Sequence, residues 1–64
     1  MKDTIKGLAE LVEKLENNIE ATNKEQALEL LAKLKRAQDD PANEEYDDDY
    51  EDLIFRMIYI VGQL

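Results

Sequence analysis

The 64-residue chain contains no Cys, His, Ser or Trp, one Pro and two Gly. The missing Cys excludes disulfides and thiolate metal sites. Without His, Cys or Ser, the usual nucleophiles and the usual neutral-pH base are absent. Neither catalysis nor a bound cofactor is therefore expected. The longest strongly apolar stretch, Leu53 to Leu64, is too short to span a bilayer and is interrupted by Arg56. Met1 to Ala9 lacks the continuous apolar run of a signal peptide, so no membrane partner is expected and a natural protein of this kind would be cytoplasmic. No segment alternates like a strand, and there is no internal repeat or low-complexity linker. A chain of this size holds one domain, residues 1–64, and buries only about 60% of its unfolded surface.

Charge is abundant but unevenly placed. Residues 1–38 carry seven Lys/Arg and seven Asp/Glu, whereas residues 39–64 carry one Arg and nine acids, so the whole net charge of −8 resides there. Seven of those acids fall between Glu44 and Asp52. This excess argues against nucleic acid or anionic lipid as a partner, since both present phosphates. It permits a protein partner with a basic rim. Acids at a helix start also complement the helix dipole and keep a chain soluble.

Apolar residues recur at helical spacing throughout and predict an all-α, antiparallel three-helix bundle. The first helix is expected over residues 3–21, with Ile5, Leu8, Val12, Leu15 and Ile19 as its seam and Asp3 or Thr4 as its cap. The second is expected over 23–38. Thr22 and Glu25 are placed to form its capping box, and Ala27, Leu30, Leu31, Leu34 and Ala37 its inner face. Asp39, Asp40 and Pro41 end it, because the residue before Pro disfavours the helical region. The third is expected over 41–63, capped by Asp40 with Pro41 at its first position, or by Asn43.

The third helix is apolar on two sides. Tyr46, Tyr50, Leu53, Met57, Ile60, Val61 and Leu64 form one stripe, wide enough to close a core. Phe55, Ile58 and Tyr59 lie on the far side with Gly62, at spacing i, i+3, i+4, i+7. Only one face can point into a three-helix bundle, so the second reads as a docking or self-association surface, and a homodimer through this helix is one form it could take. Phe and Tyr are favoured interface anchors. Gly62 costs helix stability and admits close backbone approach. Ile54, at the border of the two stripes, is placed with the docking set, and Glu51, Asp48 and Asp52 are its polar rim. A secondary stripe on the first helix joins Gly7, Leu11, Lys14 and Asn18.

Other chemistry is thin. Asp47, Asp48 and Asp49 lack the alternating ligands and central Gly of a calcium loop, and consecutive helical acids point to different sides, so no metal is expected. The Thr residues read as caps. Arg56 is expected to pair with Asp52 one turn earlier.

The stretch from Lys24 to Gln38, KEQALELLAKLKRAQ, followed by Asp39, Asp40 and Pro41, resembles the output of computational helix-bundle design, rich in Ala, Leu, Glu and Lys with idealised caps. Designed mini-protein binders of this class present one rigid helix face to a target, which implies that the two-faced third helix is the binding element of a non-enzymatic module or inhibitor. The alternative resemblance rests on the ending from Met57 to Leu64, MIYIVGQL, with Leu31 to Arg36 before it. This is similar to the small acidic helical co-chaperones of type III secretion, which act within a hetero-complex. A third reading, an acidic mimic of nucleic acid, requires acids spread along a face, and here they are bunched.

Overall fold

The computed structural model describes residues 3–64; Met1 and Lys2, at the start of the expected domain, lie outside the described residues. Three α-helices follow one another: α1 (Asp3–Asn17), α2 (Lys24–Asp39) and α3 (Asp47–Gln63). They pack as the expected three-helix bundle, with no strand among the described residues. The radius of gyration is 11.3 Å, close to the roughly 10.7 Å expected of 64 residues, and the long axis is 34 Å.

The element ends differ from expectation where local hydrogen bonding wins. α1 stops at Asn17, not at residue 21, because Asn18 leaves the helical region (φ −146°, ψ 50°). A single 3-10 turn, Ile19–Ala21, follows. The expected Thr22–Glu25 capping box does not form. The Thr22 hydroxyl donates instead to the Asn18 carbonyl (2.9 Å), and Asn23 caps α2 by accepting from the Glu25 backbone N–H (2.7 Å). An Asn side chain one residue nearer the helix serves the same orphan donors.

Between α2 and α3, Asp40 holds the extended conformation expected before Pro and accepts from the Ala42 N–H (3.0 Å). Residues Pro41–Tyr46 form a 3-10 segment, so α3 proper begins at Asp47 and not at residue 41. Asn43 is no cap for α3. Its side-chain amide donates back to the Ala37 carbonyl (3.0 Å) and satisfies one of the orphan acceptors at the end of α2. The first turn of α3 contains Asp47, Asp48 and Asp49, where negative charge complements the positive end of the helix dipole.

The core is drawn from all three helices: Ile5 and Val12 from α1, Ala27, Leu30 and Leu34 from α2, and Tyr50, Leu53, Ile54, Met57 and Ile60 from α3. α3 is the central element. It packs most extensively on α2 and also on α1, while α1 and α2 barely meet. Consequently α3 supplies half of the buried residues, and its rotation about its own axis decides which of its faces is left outside. Leu64, expected in the inner stripe, is exposed at the chain end.

One ion pair ties α1 to α3. Arg56 donates through Nε to Glu16 Oε2 (2.9 Å) and through Nη2 to Glu16 Oε1. The expected partner, Asp52, is only a distant second at 4.0 Å. A bidentate carboxylate across the seam outcompetes a monodentate one on the same helix, because the guanidinium fork matches two parallel acceptors. The hydrogen bond from Arg56 holds the Glu16 carboxyl below the ordinary carboxylate range, against the opposing effect of burial. Among the described residues no buried side-chain nitrogen or oxygen lacks a hydrogen-bond partner.

Candidate docking face

Helix phase and bundle geometry together leave one side of α3 uncovered. α1 lies beside Asp49, Leu53 and Arg56, which share a shallow depression with Ile5 and Ala9. Tyr50, Ile54 and Met57 are buried on the inner side, and α2 is the element on which α3 packs most extensively. At about 100° per residue, Phe55, Ile58, Tyr59 and Gly62 point away from both neighbours. Phe55 is 62% exposed, Tyr59 65% and Ile58 47%. Three adjacent large apolar groups of this exposure exceed the scattered single residues normal on a surface.

Gly62 lies in line with them, and a Cβ built there meets nothing within 4 Å. Packing inside the bundle therefore gives no reason for glycine at this helical position. Asp48 and Glu51 are exposed at the N-terminal end of the same side, where the expected rim stands. Asp52 is also exposed, but faces the α1 seam near Arg56.

Ile54 does not belong to this face. It is 7% exposed and part of the core. Its border position in the helix phase left both sides available, and the packing of the bundle decided for the interior.

Leu28 on α2 is an addition that sequence reasoning missed. It is 45% exposed. Gln26, Glu29 and Lys33 line the groove toward α1, so Leu28 stands on the opposite flank of α2, toward α3. α2 and α3 run antiparallel, with the Gln38 side chain donating to the Asp47 carbonyl (3.4 Å). Counting back along that register sets Leu28 level with Met57 and Ile58. The available signal was that Leu28 falls outside the inner stripe of α2, an apolar residue with no core to enter.

The secondary stripe on α1 is divided. Leu11, 45% exposed, and Lys14 line a groove of about 230 Å³ between α1 and α2, with Leu15 and Leu30 in its floor and Lys33 opposite. Asn18 lines an adjoining depression at the α1–α2 turn that shares Lys14 and Leu15 with this groove, whereas Gly7 lines neither, with open space around it. The groove opens on the side of the bundle away from Phe55 and Tyr59, so the two stripes do not form one surface.

The acidic run is arranged differently from expectation in one respect. Carboxylate oxygens of Asp47, Asp48 and Glu51 lie within 4.8 Å of one another, so these acids do converge. Glu51 stands one turn beyond both Asp47 (i, i+4) and Asp48 (i, i+3), so its carboxylate meets both. All three are exposed. What they place on α3 is a concentrated negative charge at one end of the apolar face.

Compared with protein-family models, curated proteins and solved structures, the chain matches none of them. No helix among the described residues is long and apolar enough to cross a membrane.

Proposed function

We propose that this chain is a non-enzymatic protein-binding module, in the manner of a designed helical mini-binder, that docks a protein target through the outer face of α3. Phe55, Ile58 and Tyr59 are the anchors, Gly62 the point of close approach, and Asp48 and Glu51 the acidic rim, with Asp52 at its edge. The observation that carries this reading is that α3 closes the core with one side while its other side keeps three large apolar residues exposed. Exposed apolar surface of this kind is costly in solubility and is characteristic of interaction sites. The aromatic anchors add large contact area for few rotatable bonds. The acids favour a target whose facing rim is basic.

The test is a binding screen of the full chain against a displayed protein library, repeated with Phe55→Ala and Tyr59→Ala. A partner whose affinity falls by roughly 30-fold or more with either variant, both still folded, supports the reading. Partners that bind both variants as well as the parent chain overturn it.

A further inference from the structure

Resting on that docking reading, we infer that the occupant of the α2–α3 outer face is a helix of opposite charge pattern, apolar in one half and basic in the other, and not a second copy of this chain. On α3 the exposed residues Asp48, Glu51, Phe55, Ile58 and Gly62 follow one another at spacings of three, four, three and four. That is the spacing by which one helix presents a continuous seam to another. The seam is divided in two. Its first two positions are carboxylates, and its last three are aromatic, aliphatic and glycine. Leu28 widens the apolar half onto α2, level with Ile58. The result is an apolar shoulder between two helices with a negative strip at one end, a shape that receives the apolar edge of an amphipathic helix. Gly62 lets that helix approach the backbone where no side chain intervenes.

The charge pattern also argues against a second copy docking through its own α3. If two α3 helices paired in parallel, Asp48 and Glu51 of one copy would meet the same carboxylates of the other. If they paired antiparallel, those carboxylates would meet the C-terminal turn of the partner helix. That turn has no basic residue and presents the negative end of its dipole. Arg56, the one cation in residues 39–64, is already bound by Glu16. Neither pairing supplies a counter-charge. A helix whose Lys or Arg residues follow the same three-four spacing as its Leu residues supplies one at each position.

A library of displayed helical peptides, about 20 residues long, with seam positions varied among Leu, Ala, Lys and Glu, is selected on the full chain at low salt. The enriched peptides should carry Leu in one half of the seam and Lys in the other. Their affinity should fall tenfold or more with Phe55→Ala, several-fold with Leu28→Ala, and tenfold or more with Asp48→Lys combined with Glu51→Lys. That double variant should instead enrich Glu-bearing peptides. Peptides that need Phe55 and Tyr59 but carry Glu or no charge at the acidic end would overturn this inference and leave the docking reading standing. Peptides that bind the Phe55→Ala and Tyr59→Ala variants undiminished would remove the docking reading itself. Failure to enrich any helix overturns the helical occupant. Sedimentation should show a monomer; a dimer abolished by Phe55→Ala would assign the face to a second copy.

Discussion

Leu53 and Phe55 stand two residues apart on α3, yet Leu53 is 4% exposed and Phe55 62%. Both are large and apolar, and the same burial energy per area is available to each. What separates them is rotation by about 200° round the helix axis. The inner side is shaped by α1 and α2 until almost no surface remains. The outer side is equally apolar in its C-terminal half and covered by nothing. Folding therefore uses one side of α3, and the other retains an unspent driving force for association. The two sides also differ in what backs them. Tyr50, Leu53, Met57 and Ile60 are locked among neighbours, and the outer anchors rest on that rigid inner set. Such a platform limits the ordering cost of binding.

The strongest way to break this comparison is to truncate the inner side. Leu53→Ala or Met57→Ala should destabilise the fold by about 2–5 kcal/mol, as buried truncations do. In a domain this small, a loss at the upper end leaves little folded protein. Denaturant midpoints measured by circular dichroism would show it. Ile54→Ala belongs in the same class, since Ile54 is core, and a loss below about 1 kcal/mol there would mean that the bundle does not cover it.

Truncating the outer side should give the reverse. Phe55→Ala and Tyr59→Ala should weaken binding by about 2 kcal/mol or more, while stability moves by no more than about 0.5 kcal/mol. Calorimetric titration beside thermal melts separates the two effects. If these variants unfold the chain as readily as Leu53→Ala, then α3 is rotated from the orientation described and the comparison collapses.

A smaller effect belongs to the seam between α1 and α3. Glu16→Gln should cost about 1 kcal/mol at neutral pH, because the pair is one-third exposed and partly screened. The pH dependence has a definite sign. The Glu16 carboxyl is held below its ordinary value of 4.5 in the folded chain. Its contribution is therefore complete above that value and is lost as pH falls through the lowered folded value. Acid melts of the parent and the Gln variant should converge at low pH and separate above about pH 5. Parallel curves would show that the pair contributes nothing to the fold.

Much of this arrangement is legible in the residues, and the exceptions share a cause. Most of the α1 seam and of the inner stripe of α3 follows from spacing alone, because helix phase is a local property; Ile19 and Tyr46 fall in the flanking 3-10 turns and Leu64 is exposed. Ile54, Leu28 and Arg56 do not. Ile54 lies on the border of two faces, and its burial depends on how closely the bundle packs. Leu28 acquires meaning only when the antiparallel register sets it level with Ile58. Arg56 has an acid one turn away at Asp52, yet its stronger partner is 40 residues distant. In each case the deciding quantity is the placement of one helix against another. Helix ends are a separate matter: Asn23 and Asn43 each make a side-chain hydrogen bond to the backbone, and the Thr22 hydroxyl takes the Asn18 carbonyl, and such local bonds compete with helix continuation in a fine balance.

The smallest expected effect sharpens the comparison most, because it uses two residues of the same type. Gly7 and Gly62 both sit inside helices, and a Cβ at either meets nothing within 4 Å. Gly7→Ala and Gly62→Ala should therefore both stabilise the fold, by a few tenths to about 1 kcal/mol, through helix propensity and reduced freedom of the unfolded chain. The gain should be smaller at residue 62, where the last turn frays. Their effects on binding should part company. Gly62 lies in line with Phe55 and Ile58, where the proposed partner backbone would approach, whereas Gly7 lies on α1, away from that face. Gly62→Ala should weaken the partner several-fold, and the larger Gly62→Leu should weaken it further. Gly7→Ala should leave affinity unchanged. If both glycine variants gain stability and neither loses affinity, close approach at Gly62 is wrong, and the docking face ends at Tyr59.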